Sequence, residues 1–417
     1  TSTSGTAIVL GTGATVNDII EIIVFDAFSA ADTVSKADGG QFDGNVTMAG
    51  TLATTGNATF SGDIIKSTSG TSNFAAGVNA GNSITSGGNY NVLIGDEAGT
   101  ALTTGDNNVA VGFEALKTEN EHGNNVAVGY QALRLQDGGD NNYNVAVGSE
   151  AGKAVTTGAA NTLIGGQAGD ALTTGGLNVA VGYQALITED AHGYNTAVGY
   201  QSLKTLDAGA NGNNVAVGYL AGTAMTTGVQ NTIVGAGDAL TDADYNVAIG
   251  MEALGTDTLG SASVAIGKGT LKNQNFSSAT TNYNVAIGYE AGNDITTGIR
   301  NVLIGGLAGD ALTDADYNIA VGTSALTADT LGVGSVAIGY KSLSVQNFTS
   351  QTTSGNTAVG YYAGFSVSTG ISNTFIGSQA GYSSTDTDYN TAVGDRALYS
   401  NTRADHNVAI GYAALYT

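Results

Sequence analysis

The side chains that could do chemistry in this sequence are, first, its three histidines. These are His122, His192 and His406, and the segments around the first two are copies of one another. Their spacing relative to serine and aspartate does not predict a Ser-His-Asp triad, and solvated turns are the interpretation we favour. The chain contains no cysteine, which excludes a thiol nucleophile and a thiolate metal site.

Closely spaced aspartates form a second set of candidates, and they allow two kinds of chemistry. A carboxylate pair could supply the acid and base for polysaccharide cleavage, or it could bind Ca²⁺. Each pair, however, precedes the start of a predicted strand in repeated copies, as turn aspartates do. We therefore predict that the protein is not an enzyme and needs no cofactor, with Ca²⁺ at these turns as the alternative. The pairs are Asp242/Asp244, Asp314/Asp316 and Asp386/Asp388.

Aromatic and basic side chains gather near the C-terminal end of the sequence, where we predict a receptor-binding tip. Aromatic surfaces and arginine donors suit the recognition of sugar or protein. The alternative is that these side chains cap an exposed edge of a repetitive fold. The predicted tip consists of Tyr382, Arg396, Tyr399, Arg403, His406, Tyr412 and Tyr416.

The elements that must position these side chains belong to a short repeat that ends in glycine and occurs nineteen times between Gly95 and Gly411. Thirteen of the eighteen intervals between these motif glycines have the same length, seventeen residues, and the other five differ from it by two or four residues. All deviations are therefore multiples of two. Because side chains in a strand alternate with period two, such insertions keep inner and outer faces in place. This parity predicts β-structure. A longer period is superimposed on the single repeat, because blocks of four repeats are duplicated along the sequence.

Each position of the repeat has a physical interpretation. Before the glycine come two β-branched residues with a small residue between them, which predicts a strand with one small-residue face, and the glycine permits a sharp corner. Asparagine lies four residues before the glycine in seventeen of nineteen repeats, which predicts an internal amide ladder. Fifteen tyrosines occupy two regular positions, which favours packing between coils or subunits. Representative structural positions are Gly112, Gly129, Gly182, Gly199, Asn108, Asn125, Asn178 and Asn195.

A single repeat buries too few apolar side chains to offset its conformational entropy, so the repeats must stack. We predict an all-β fold, a parallel β-solenoid or β-roll of about nineteen repeats. The predicted domains are an N-terminal β module at 1–38, short strand repeats and a junction at 39–85, and the repeat shaft with its tip at 86–417. Coil handedness, and whether one repeat equals one coil, stay open at this point.

The composition of the 417 residues agrees with a structural protein. There are 63 glycines and no proline, as expected where nearly every backbone N–H donates to a ladder. A formal net charge of −23 argues against nucleic acid and anionic membranes as partners. No apolar run is long enough to span a bilayer.

The repeat sequences resemble two known groups of proteins. Ser-Val-Ala-Ile-Gly at 263–267 and 335–339 is similar to the head repeat of trimeric autotransporter adhesins, whose heads are parallel β-rolls packed three around an axis. The longer spacing of the repeat departs from that group, and we find neither a heptad stalk nor a C-terminal membrane-anchor barrel. The closer resemblance is to bacteriophage tail fibres, in which runs like 195–201 follow an N-terminal module like 11–28.

This resemblance implies a homotrimeric fibre of the virion tail, extracellular, which attaches the particle to its host. The N-terminal end would contact other tail or baseplate proteins, and the C-terminal end would contact a host surface glycan or protein. No nucleic-acid partner and no membrane insertion are expected. Two alternatives remain, a bacterial surface adhesin or extracellular filament subunit, and a polysaccharide-degrading tailspike.

Overall fold

The computed structural model describes residues 68–139, 141–235 and 239–416, and within them the chain forms a parallel β-solenoid without a helix. Residues Ile65–Thr417 make up one compact unit. The predicted all-β solenoid is therefore confirmed. The predicted N-terminal module at 1–38, and the part of the 39–85 segment before residue 68, lie outside the described residues.

Twenty three-residue strands form one sheet in which each strand pairs with the next along the chain. They are β1 (Phe74–Ala76), β2 (Val92–Ile94), β3 (Val109–Val111), β4 (Val126–Val128), β5 (Val145–Val147), β6 (Thr162–Ile164), β7 (Val179–Val181), β8 (Thr196–Val198), β9 (Val215–Val217), β10 (Thr232–Val234), β11 (Val247–Ile249), β13 (Val264–Ile266), β15 (Val285–Ile287), β16 (Val302–Ile304), β17 (Ile319–Val321), β19 (Val336–Ile338), β21 (Thr357–Val359), β22 (Thr374–Ile376), β23 (Thr391–Val393) and β24 (Val408–Ile410).

The register of this sheet follows the sequence repeat residue by residue. Ala110 of β3 aligns with Ala127 of β4, and Ala127 aligns with Ala146 of β5 although that interval is two residues longer. One repeat is therefore one coil. The insertions are absorbed between strands, as their parity predicts.

The two longest coils use their additional residues to make a second, shorter ladder. Here β12 (Gly260–Ser261) pairs with β14 (Thr280–Thr281), and β18 (Gly332–Val333) pairs with β20 (Thr352–Thr353). The inserted residues thus stay hydrogen-bonded to the coil before them.

The solenoid begins earlier than the sequence boundary near residue 85 indicates. Strand β1 pairs in parallel with β2, so that Ala75 aligns with Leu93. Asn73 also lies four residues before Gly77, and it joins the asparagine ladder. This coil escapes the sequence pattern because Phe74 and Ala76 replace the β-branched residues that define the motif.

One column of the buried core is formed by the residue at the centre of each strand, and buried alanines and leucines from outside the strands pack beside it. This residue is alanine in most coils, and it is fully buried, as at Ala110 and Ala180. Larger side chains such as Leu163 and Phe375 take the same place in other coils. The β-branched residues on either side point outward and are half-exposed. The interior is therefore narrow, and it is the small residue of the motif that faces it.

The motif glycine makes the corner that ends each strand. Gly182 has a φ of 139°, a conformation that side chains rarely adopt. A Cβ at Gly182 would also collide with the carbonyl oxygen of Gly199 in the next coil. Glycine is thus required here for both backbone conformation and close stacking.

The predicted asparagine ladder is present inside the solenoid, with the backbone as its main partner. The Oδ1 of Asn161 accepts the N–H of Asn178 at 3.0 Å, while Asn178 Nδ2 donates to the carbonyl of His192 at 3.1 Å. Each side chain therefore joins its own coil to the next one. Where Ser263 interrupts the ladder, Asn282 Oδ1 accepts the N–H of Asn284 at 3.1 Å.

Candidate functional site

Two of the three histidines that sequence analysis assigns to solvated turns lie beside buried glutamates. His122 Nδ1 lies 3.0 Å from Glu119 Oε1, and His192 Nδ1 lies 3.1 Å from Glu189 Oε1. Both glutamates are fully buried. The same Glu119 oxygen accepts the backbone N–H of Asn120 and of His122. The pair therefore closes a turn.

Glu119 and Glu189 belong to a set of four buried carboxylates, completed by Asp257 and Asp329, that the sequence pattern did not single out. The set recurs once in every four coils, each time in the coil before a long one. Each carboxylate accepts the backbone N–H three residues later, as Asp257 does from Gly260 at 2.9 Å. Each also accepts a donor from the long coil that follows; the donors are Gln136 Nε2, Ala208 N, Gln274 Nε2 and Gln346 Nε2.

Around the two histidines, further acidic groups come close enough to be considered as metal ligands. The ligand atoms of each group lie within 4.8 Å of one another; the groups are Glu119, His122 and Asp137, and Glu189, Asp190, His192 and Asp207. Because the glutamate oxygen at each centre already accepts protein hydrogen bonds, the arrangement is explained by turn closure.

The Asp-x-Asp turns contribute hydrogen bonds between coils. Asp244 Oδ1 accepts the N–H of Val229 at 2.8 Å, and Asp316 Oδ1 accepts that of Ile299 at 2.8 Å. The first aspartate of a pair can bind a threonine of the preceding coil, as Asp314 does with Thr297 at 2.7 Å. These contacts support the turn interpretation over a catalytic pair.

Three tyrosines of the predicted tip form one aromatic ladder on the C-terminal coils. Tyr382, Tyr399 and Tyr416 lie one repeat apart, each five residues after a motif glycine. Their ring centroids are separated by 5.0 Å at each step, with interplanar angles of 5° and 8°. Phe365 extends the ladder at 5.1 Å from Tyr382. Sequence analysis missed Phe365, although its position relative to Gly360 is the same.

Tyr362 joins the ladder from the side. Its ring lies edge-on to that of Phe365, with centroids 5.0 Å apart, and edge-on to that of Tyr361 at 4.4 Å. Burial within this group, together with the neighbouring phenol of Tyr340, raises the pKa of Tyr362 to about 12. The C-terminal part of the solenoid thus carries a continuous cluster of aromatic side chains.

The other predicted tip residues are placed on different columns of the solenoid. Arg396 Nε donates to Gln379 Oε1 at 3.0 Å, and the His406 ring stacks on Tyr389 at 4.9 Å. Tyr412, directly after the last motif glycine, is 75% exposed. The structure therefore brings the three ladder tyrosines together, whereas Arg396 and His406 contact residues outside the predicted set.

Arg403 has no hydrogen-bond or ion-pair partner among the described residues. It lines a shallow depression of about 390 Å³ at the last coil, together with Leu398, Ser400, Asn401, Thr402, Ala404, Asn407 and Leu415. Arg403 also lines a second depression, together with Asp386 and Asp405. A free guanidinium beside amide, hydroxyl and carboxylate groups can bind polar or anionic groups of a partner.

Comparison with family models, with curated proteins and with solved structures finds no match to this chain. Within the described residues there is also no helical segment with the length and hydropathy that crossing a bilayer requires.

Proposed function

We propose that this protein is a structural fibre that attaches a particle to a host cell surface, as a bacteriophage tail fibre or receptor-binding protein. The observation that carries the proposal is the uninterrupted parallel stack of twenty coils in a shared register. At about 4.8 Å per coil, such a stack is roughly 95 Å long. An element of this kind provides reach and stiffness.

The side chains that could do chemistry support a mechanical role. His122, His192 and the paired aspartates are engaged in turn closure and in bonds between coils. The proposed fibre therefore has no catalytic activity and requires no cofactor, and an unchanged thermal midpoint after chelation would exclude Ca²⁺ at the Asp-x-Asp turns.

We place the protein outside the cell, in the virion tail, as a homotrimer. Its N-terminal end would join tail or baseplate proteins, and its C-terminal coils would bind a host surface glycan or protein. The aromatic ladder and the unpaired Arg403 favour this polarity, because aromatic rings and arginine dominate recognition surfaces. The net charge of −23 disfavours nucleic acid as a partner.

The decisive experiment is immunogold labelling of virions and of host cells with antibody against this chain. Label on the tail, with blocked adsorption by the same antibody, is the expected result. Label on bacterial envelopes and none on virions would replace the proposal with a surface adhesin. Release of reducing ends from host polysaccharide by the purified protein would replace it with a tailspike.

A further inference from the structure

The tyrosines that directly follow a motif glycine form an exposed column along the solenoid, which we call the tyrosine column. At three places the column is interrupted for two coils that carry a small residue instead, and we call each interruption a notch. A tyrosine that is at least 40% exposed stands at either end of every notch. The notches extend from Tyr130 to Tyr183 across Ser149 and Gly166, from Tyr289 to Tyr340 across Gly306 and Thr323, and from Tyr361 to Tyr412 across Ser378 and Asp395.

The first notch has an aromatic wall at each end. Tyr130 stacks on Phe113 of the preceding coil, and Tyr183 stacks on Tyr200 of the following coil, each with ring centroids 5.7 Å apart. Both partners lie on the side away from the notch. Each of the two walls therefore keeps one ring face that no other described aromatic ring covers, and these faces look toward each other across the notch.

The floor of the first notch is small and fixed in place. The carbonyl of Ser149 accepts the N–H of Gln167 at 2.8 Å, while the Ser149 hydroxyl has no partner among the described residues. A Cβ at Gly166 would lie 3.4 Å from Cδ2 of Tyr183, so the glycine keeps the face of that ring accessible. The two walls are three coils apart, about 14 Å at the strand spacing of about 4.8 Å, which leaves the room of two missing rings.

Polar side chains line the flank of this notch, directly after the floor residues in the chain. Gln167 Nε2 donates to Glu150 Oε2 at 2.9 Å, and Gln184 Nε2 donates to Gln167 Oε1 at 2.8 Å. The carboxylate of Glu150 is also paired with Lys153 at 3.1 Å. The flank thus presents amide and carboxylate groups in fixed positions beside two apolar ring faces.

This combination fits a pyranose ring of gluco configuration. Such a ring has axial C–H groups on both faces, which pack on the electron-rich face of an aromatic ring, and its equatorial hydroxyls form a polar rim that can bond to the flank and to Ser149. An aromatic side chain of a protein would leave most of these polar groups unmatched. We propose that the notches bind glycans built from glucose or N-acetylglucosamine. This goes beyond the proposed function, which places receptor contact at the C-terminal coils, because two of the notches lie on the shaft.

Filling the notches with tyrosine tests the proposal, because the new rings would complete the column and occupy the place of the ligand. Neither Gly166 nor Gly306 adopts a left-handed φ, so the backbone accepts a side chain there. Calorimetric titration with cellohexaose and with chitohexaose should show binding to the wild type with a dissociation constant of about 1 mM or below. The filled variant should bind at least tenfold more weakly, with a thermal midpoint that is not lowered. Its six substitutions are Ser149→Tyr, Gly166→Tyr, Gly306→Tyr, Thr323→Tyr, Ser378→Tyr and Asp395→Tyr.

Two further variants keep the test decisive if the filled variant does not fold. Tyr130→Ala with Tyr183→Ala removes both walls of the first notch and should lower the number of occupied notches from three to two. Tyr200→Ala is the matched control, because the Tyr200 ring is stacked on both faces and bounds no notch. Thr157→Tyr with Thr174→Tyr, which adds tyrosines on exposed turns, should bind both sugars as the wild type does.

Three results would overturn the proposal. The first is that neither hexasaccharide binds, or that the filled variant and its turn control bind equally well. The second is saturation of the notches by N-acetyltryptophanamide without a response to either sugar, which would assign them to aromatic side chains of a protein partner. The third is a lower assembly mass of the filled variant in light scattering, which would assign them to contacts between subunits. Virion labelling uses none of these probes, so failure of the notches and failure of the proposed function can be told apart.

Discussion

The backbone N–H of Asn195 donates to the side-chain Oδ1 of Asn178 one coil earlier, at a distance of 3.0 Å, inside the solenoid. Replacing Asn178 with alanine leaves this buried N–H and the part-buried carbonyl of His192 without their partners. We expect Asn178→Ala to lower the free energy of unfolding by about 2–4 kcal/mol, since each unsatisfied buried group costs roughly 1–3 kcal/mol. Urea denaturation monitored by circular dichroism measures this loss in the free energy of unfolding. Thr157→Ala, an exposed turn substitution, should stay within about 0.5 kcal/mol of wild type; an equal loss in both variants would contradict the ladder's role.

A second prediction concerns the motif glycine Gly182. Gly182→Ala places a Cβ against the carbonyl oxygen of Gly199 and forces alanine into a φ of 139°. We expect a loss of at least about 2 kcal/mol, from strain of roughly 1–3 kcal/mol added to the displaced coil. A Cβ at Gly209 would have no atom within 4 Å, so Gly209→Ala is the matched control. Thermal unfolding of both variants separates the two cases, and a lowered midpoint for Gly209→Ala alone would refute the assignment.

A third prediction follows from the buried carboxylate of Asp257. Burial raises the pKa of Asp257, while the hydrogen bonds from Gln274 and the backbone lower it. Because the net pKa is raised on folding, the folded state binds this proton more tightly, and the resulting stabilisation is lost as pH rises through the folded-state pKa. The free energy of unfolding of wild type minus that of Asp257→Asn should therefore fall as the pH rises above about 4, the ordinary pKa of an aspartate. Urea titrations below and above this pH test it, with Thr157→Ala as a control that should parallel wild type. If the free energy of unfolding of Asp257→Asn varied with pH in parallel with that of wild type, the Asp257 carboxylate would not titrate as described.

The fourth prediction tests the C-terminal coils as the binding surface. Arg403→Ala should weaken binding to host cells by tenfold or more, as truncation of an arginine hot spot does, while the thermal midpoint stays unchanged. Arg300→Ala is the control, because Arg300 is exposed on the shaft and contacts Tyr317 of the next coil. Binding of labelled protein to host cells measures both. Equal effects of the two substitutions would place the binding surface elsewhere.

Much of this fold could be predicted from the sequence because the lengths of the repeats and the residue types at each repeat position follow the geometry of stacked strands. The even-numbered insertions indicate β-structure, and the register between Val126 and Val145 confirms it across one of the longer intervals. The asparagine ladder was also predictable, since a turn residue that recurs in nearly every repeat must meet its own copies. The first coil at Phe74–Ala76 was missed because its residues do not match the motif.

Features that depend on packing against neighbouring coils were harder to predict from the sequence. Leu116, Leu133 and Leu186 adopt φ values of 51°, 48° and 53°, although this conformation costs a non-glycine residue roughly 1–2 kcal/mol. All three are fully buried, and the burial of leucine offsets the strain. The conformational propensity of leucine alone does not predict these positive φ values. At the C-terminal coils, the spacing of Tyr382 and Tyr399 could have revealed the aromatic ladder, whereas the partners of Arg396 and His406 depend on the neighbouring coils.

The four buried carboxylates also divide the solenoid into modules of equal design. Successive modules begin at equivalent places, and the strand of each coil pairs only with the strands of the coils beside it. Recombination between two modules in the gene would therefore delete or add four coils and regenerate a junction that already exists. Each such event would change the length of the solenoid by roughly 19 Å at the strand spacing. The length of the solenoid can therefore change in steps of four coils without the evolution of any new contact between coils.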